Sequence, residues 1–240
     1  MQWQESSIVL GTRLFAENLR IVTVFSETFG KTSGLVKGIK KPIQFGDVSH
    51  VLWKGRTSEQ LGTFQIENIF SPFCHIFADP QRIFILESAC TLCAKGLPEK
   101  APHPKLFHAL RSLFLSITGD DWLANYVFFE ISFLAEVGIG LDLYKCAVTG
   151  RTDDLFYVSP CTGRAVVRSV GESYKDRLFR LPSFLISNDN YPSNGDIFSA
   201  LEMTGHFLRM YFCGISCREL PLSRNYLLAD IGEKIHGAIA

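Results

Sequence analysis

The run Arg20-Ile-Val-Thr-Val-Phe-Ser-Glu-Thr-Phe-Gly30-Lys-Thr-Ser-Gly-Leu-Val-Lys-Gly-Ile-Lys-Lys41 decides how this chain begins to fold. Its apolar residues recur at period two, which predicts strands over Arg20–Ser26 and Ser33–Ile39 separated by turn residues. Working outward, the same pattern predicts strands at Ser7–Leu14, Val48–Lys54 and Phe64–Phe70. Five short strands in 73 residues suit a small barrel.

Ser71-Pro72-Phe73 breaks the alternation, and from Asp79 the apolar period becomes helical. Asp79 can cap free amides and Pro80 fits a first turn. Ile83, Leu86, Cys90, Cys93 and Leu97 then share a face until Gly96-Leu97-Pro98 ends the helix. A second helix follows Pro104, with Phe107, Leu110, Phe114 and Ile117 on one side. A third starts at Asp120 or Asp121 and reaches Gly138; its Trp122, Tyr126, Phe129 and Phe133 have the spacing of a core face, not of a base-stacking platform. Leu155–Val158 and Arg164–Arg168 read as a hairpin inserted among helices. Ser193 caps a helix through Ile197–Phe212, and Ser223 opens a last one that frays near Gly237. The expected boundaries are therefore a barrel over residues 1–78 and a helical domain over 79–240.

Charge is distributed unevenly along the chain. Its 24 basic and 24 acidic residues balance, yet Gly30 to Arg56 carries Lys31, Lys37, Lys40, Lys41, Lys54 and Arg56 against Asp47 alone. Residues 1–56 hold eight basic and four acidic side chains, which leaves 16 against 20 for the remainder. A neutral total thus hides a polarised molecule whose leading segment attracts polyanions. Glycines at 30, 34, 38, 46 and 55 are expected to let the backbone turn tightly and approach a ligand. Lysines on the outside of a small sheet also serve as edge protection, so the charge pattern by itself leaves both readings open.

Several functions are disfavoured. The residues Met1-Gln-Trp-Gln-Glu5 lack the order of an export signal, and the apolar run around Tyr126–Leu143 is broken by Glu130, Glu136 and Asp142, so neither export nor a membrane span is expected. Seven cysteines, an odd number, predict reduced thiols and a cytoplasmic location. Cys90 and Cys93 have knuckle spacing but lie in an apolar helical run, and Cys213 and Cys217 are one helical turn apart near a helix end; packing explains both pairs better than metal. His50, His75, His103 and His108 join no HExxH, GxSxG or phosphate-loop pattern, so no enzyme is expected.

Two segments resemble a known family. Residues 20–41, quoted above, are similar to the N-terminal domain of the RecO family of bacterial DNA repair and recombination proteins. Glu136-Val-Gly-Ile-Gly-Leu-Asp-Leu-Tyr-Lys-Cys-Ala-Val-Thr-Gly150, Tyr157-Val-Ser-Pro-Cys-Thr-Gly-Arg-Ala-Val166 and Leu178-Phe-Arg-Leu-Pro182 are similar to the C-terminal region of that family, in the same order. The resemblance implies an α+β protein with an N-terminal OB-fold barrel and a mostly helical C-terminal domain. It further implies a non-enzymatic, cofactor-free mediator, cytoplasmic and nucleoid-associated. Such a mediator binds single- and double-stranded DNA, anneals complementary strands, contacts the tail of the single-strand-binding protein and, with RecR, helps load RecA.

Carried over by position, the DNA contacts would be Arg13, Arg20, Lys31, Lys37, Lys40, Lys41, Lys54 and Arg56, each touching phosphate and so indifferent to sequence. Trp53 could stack on a base or fill the barrel core. Arg164, Arg168, Lys175, Arg177 and Arg180 form a second cluster that could extend the DNA path, receive an acidic tail, or be ordinary solvated surface. Some relatives hold zinc with four cysteines here, but this chain has Thr149 where the first pair would close and no cysteine soon after Gly163. Cys146 and Cys161 cannot complete a tetrahedral site, so the hairpin is expected to lack zinc. An RNA-binding or scaffolding OB-fold protein is the alternative that a phosphate-directed patch leaves open.

Overall fold

In a computed structural model, the structure describes residues 1–38, 42–57, 60–187, 191–215 and 219–237. The chain forms two units, Met1–Trp122 and Leu123–Ala240.

The first unit begins with β1 (Gln2–Ala16), β2 (Leu19–Ser26), β3 (Gly30–Lys37), β4 (Val48–Lys54) and β5 (Thr63–Phe70). They close in the order β1-β2-β3-β5-β4, with β4 returning to β1. All neighbours are antiparallel except β3 and β5, which meet in parallel through Leu35 and Thr63. This five-stranded closed order is that of an OB-fold. β1 is long enough to serve two partners because it is bulged. Residues from Gln2 to Ile8 pair with β4 and residues from Ser7 to Ala16 with β2, and the register shifts between Val9 and Gly11. An extra residue there bends the strand around the barrel without opening an edge.

The predicted alternation holds inside. Val9, Val22, Val24, Val36, Val51, Trp53 and Phe64 fill the barrel, with Trp3, Ile43 and Ile66 packed against them. The glycines approach the protein's own rings more than open space. A Cβ on Gly34 would lie 2.7 Å from the Phe64 ring and one on Gly55 2.5 Å from Trp53, whereas Gly38, at φ +63°, meets nothing. Gly34 and Gly55 thus admit core aromatics, while Gly30 closes on the Ala101 backbone and Gly46 on Leu86.

Three helices follow: α1 (Phe73–Ile76), α2 (Pro80–Gly96) and α3 (Pro104–Leu115). Asp79 caps α2 by accepting from the Arg82 amide, and the Arg82 guanidinium returns to Asp79 at 2.9 Å. The same guanidinium donates to the carbonyls of Ile117 and Gly119, tying the end of α3's extension to the start of α2. Cys90 and Cys93 are buried in α2, where burial pushes both thiols up. Cys90 points its sulfur at the Val9 carbonyl, the contact of a packed core thiol.

In the second unit, α4 (Trp122–Glu136), which starts at the last residue of the first unit, is followed by β6 (Leu155–Val158), β7 (Ala165–Val167), α5 (Arg168–Gly171) and β8 (Phe179–Arg180). The expected hairpin is present, but β8 adds a third strand, giving the order β7-β6-β8. Then come α6 (Asn194–Gly214) and α7 (Leu222–Gly237). Ser193 and Asp196 form a reciprocal capping box at the start of α6. Ser223 lies one residue inside α7 rather than before it. Phe129, Phe133, Phe207 and Phe212 form an aromatic core, with Phe133 stacked on Phe212. Among the described residues no helix is long and apolar enough to cross a membrane.

Candidate nucleic-acid interface

Strand register determines which cations share a surface. Arg13 is opposite Ile21, Ile21 opposite Leu35, Leu35 beside Thr63, and Thr63 opposite Lys54. Since Val22, Val36, Phe64 and Trp53 point inward, these alternate positions point outward. Arg13 and Lys54 thus lie on one outer row crossing all five strands, roughly 19 Å apart along the curved sheet at ~4.8 Å per strand step. Lys37 lies two residues along β3 from Leu35, on the same face and opposite Leu19.

Arg20 belongs to the other alternation, opposite Val36, but at the strand end where the barrel opens. It lines a cleft of about 570 Å³ with Thr12, Leu14, Glu17 and Pro42. Arg56 follows β4 directly. Arg13, Arg20, Lys37, Lys54 and Arg56 are all exposed, and among the described residues none makes a side-chain ion pair or hydrogen bond. Lys40 and Lys41 lie outside the described residues, as do Ile39 and Cys217.

Lys31 is placed differently. It is 8% exposed, donates to the Ala94 carbonyl at 2.8 Å and lies 3.5 Å from Glu99, while its own carbonyl accepts from the Lys100 amide. Its charge is engaged within the first unit, against the end of α2, and is not offered to solvent. Trp53 is likewise a core residue, 2% exposed and donating to the Leu61 carbonyl. Large apolar side chains reach solvent at positions that the alternation does not single out. Leu14 and Phe15, 67% and 59% exposed, flank Arg13 and Arg20 at the end of β1. Trp3 and Phe29 stack at the opposite end of the strands, with centroids 4.6 Å apart. A large apolar side chain at the solvent end of a strand is the signal that could have marked Phe15.

The second cluster is more nearly neutralised. Arg164 lies 3.5 Å from Asp142, Arg168 3.9 Å from Asp154 and Lys175 3.7 Å from Glu172. Arg177 and Arg180 have no acidic partner among the described residues. Arg168 sits 3.8 Å from the centre of the Phe156 ring and Arg180 5.8 Å from it, so one ring carries two guanidinium groups.

The hairpin thiol is held by the backbone. Cys146 Sγ accepts from the amides of Thr149 and Val167, both at 3.5 Å. Burial pushes this thiol up, but hydrogen bonds from Thr149, Val167 and Val148 outweigh it and hold the value at about 7. Cys161 is exposed. Among the described residues no three His, Cys, Asp or Glu side chains converge as metal ligands, so the donors present do not fit a zinc ion.

Residues 1–73 match the model of the recombination protein O N-terminal domain, and residues 78–212 that of the recombination protein O C-terminal domain. Proteins named DNA repair protein RecO are similar over nearly the whole chain. That of Phenylobacterium zucineum is 39% identical over 97% of this chain and 98% of its own length. That of a Caulobacter species is 38% identical over the same shares, and that of Hyphomonas neptunium 39% identical over 96% and 98%. The chain belongs to the recombination protein O family.

Proposed function

We propose that this protein acts in DNA repair and recombination as a non-enzymatic mediator that binds DNA through its barrel and anneals complementary strands. The reading rests on Arg13, Lys37 and Lys54, exposed on one outer face of the barrel and supported by Arg20 and Arg56, with no acidic partner among the described residues. Annealing requires no acid, base or nucleophile. It requires that two polyanions be held side by side with their bases free, and exposed cations on a rigid sheet lower that repulsion while reading no sequence. Phe15, open beside Arg13 and Arg20, offers a face on which an unpaired base stacks.

Lys40 and Lys41 extend the same basic segment in sequence and remain in the proposal on that ground alone. Lys31, whose charge is engaged internally, is left out of the contact set. The link to RecR, to RecA loading and to the tail of the single-strand-binding protein rests on family membership. Phe156 under Arg168 and Arg180 suits a tail that ends in acidic and apolar residues, because the ring receives the apolar group and the guanidinium groups the carboxylates.

The test is a strand-annealing assay without nucleotide or metal on DNA coated by single-strand-binding protein. Faster annealing with the wild-type chain, lost on reversing the charge of Arg13, Lys37 and Lys54, is the expected result. Unchanged annealing in that variant contradicts the assignment. Competition between DNA and RNA of equal length separates this reading from an RNA-binding one.

A further inference from the structure

Away from the mouth lined by Arg20, the barrel carries a second cleft of about 400 Å³ lined by Trp3, Thr28, Phe29, Thr32, Trp53 and Lys100. Its walls are aromatic. Phe29 stacks on Trp3 at 4.6 Å and 12°, and Trp3 on Trp53 at 6.2 Å and 13°, so three rings lie nearly parallel. Trp53 closes the ladder from within the core. Phe29, 36% exposed, ends it at the surface.

Phe29 is held in that position by the surrounding turn. The Thr28 amide and hydroxyl both donate to Glu5, the hydroxyl at 2.7 Å, and the Phe29 amide donates to Ser26 Oγ. Gly30 then turns the chain at φ +64°, where a Cβ would strike the Ala101 carbonyl. Opposite, Lys100 adopts the left-handed region at φ 58°, a costly conformation for a lysine, fixed by the hydrogen bond its amide donates to the Lys31 carbonyl. An exposed aromatic on so constrained a turn is preorganised for contact and pays little ordering entropy on binding.

The cleft adjoins the cation row. Gln2, which also lines it, is opposite Lys54, and Arg56 lies two residues further along the chain. A ring-shaped apolar slot beside exposed cations matches one chemical unit, a flat base attached to a phosphate chain. We infer that the Trp3–Phe29 cleft accepts an unstacked nucleobase of a single strand whose neighbouring phosphates rest on Lys54 and Arg56. The inference deepens the DNA-binding reading above and rests on it. It explains how one strand can be gripped by both phosphate and base at this end of the barrel, whereas duplex DNA, with its bases stacked inside, engages the cations alone.

The experiment uses the full chain with two oligonucleotides of equal length and charge, an oligothymidylate and one abasic throughout. Substituting Phe29→Ala is expected to weaken oligothymidylate binding about tenfold, within the range for losing one base–aromatic stack. Abasic binding and the salt dependence of both stay unchanged. Phe29→Trp, which keeps a ring, retains wild-type affinity, and tryptophan emission of the unaltered protein is quenched by oligothymidylate but not by the abasic strand. Salt-dependent binding of both strands with no base preference and no differential quenching overturns the cleft assignment alone and leaves the slot to an apolar side chain of a protein partner. Failure of the wild-type chain to bind either strand overturns the cation row and the cleft together.

Discussion

The Arg224 guanidinium grips the Glu130 carboxylate with two hydrogen bonds, of 2.7 and 3.0 Å, and both side chains are essentially inaccessible to water. The arginine also donates to the Leu201 carbonyl and to Thr204, whose hydroxyl donates to Glu130. Gly205 makes the space, since a Cβ there would lie 2.8 Å from the guanidinium. Removing one member of such a pair strands a charge in the interior, so Glu130→Gln is expected to cost about 3–5 kcal/mol in urea unfolding. Replacing both partners with apolar residues of similar volume is expected to cost far less, because no charge is then left without its counterpart.

Lys31→Met separates stability from binding. The lost bonds to the Ala94 carbonyl and to Glu99 predict destabilisation of about 1–3 kcal/mol. DNA affinity measured below the unfolding transition stays at the wild-type level, along with its salt slope. A marked loss of affinity with no change in stability would return Lys31 to the DNA-contact set.

Asp47 gives the barrel a pH dependence. Burial raises its carboxyl above the usual range, opposed by hydrogen bonds from Ser71, Gln44 and Asn68. The native state therefore holds this proton more tightly than the unfolded chain does. The contribution of Asp47 is fully present below the unfolded carboxylate value near 4 and is lost as pH rises through the higher native value. Urea midpoints recorded across that window should fall with rising pH more steeply in the wild type than in Asp47→Asn.

Gly62→Ala tests the packing around Trp53. At φ +63°, with a Cβ 2.3 Å from the indole nitrogen, an added methyl forces both strain and displacement. The expected cost is about 1–3 kcal/mol in denaturant unfolding, accompanied by a shift in tryptophan emission.

Much of this architecture was legible in the sequence because it is written locally. Val22 and Val24 recur at period two about Thr23, Asp79-Pro80 announces α2, and Ser193 announces α6. Elements without a local signature were not. The first residues of β1 are mostly polar, and β8 is two residues long. The site was legible only in part for a related reason. Lys31 and Lys37 occupy the same outward alternation of β3, and only the docking of the end of α2 covers one and spares the other. Residue type and spacing carry no record of that docking. The Phe29–Trp3–Trp53 ladder likewise brings together residues from the β2–β3 turn, the start of β1 and β4, a juxtaposition created only by barrel closure.

As proposed, phosphate is held by the outer face of the barrel that carries Arg13, Lys37 and Lys54. The most direct test is the salt dependence of single-strand binding by the wild type and by the triple variant Arg13→Glu, Lys37→Glu, Lys54→Glu, with folding checked by circular dichroism. Each lost phosphate contact flattens the logarithmic slope by about 0.7, so a fall of roughly 2 is expected, with weaker binding at every salt concentration. A folded triple variant with the wild-type slope and affinity would contradict the account.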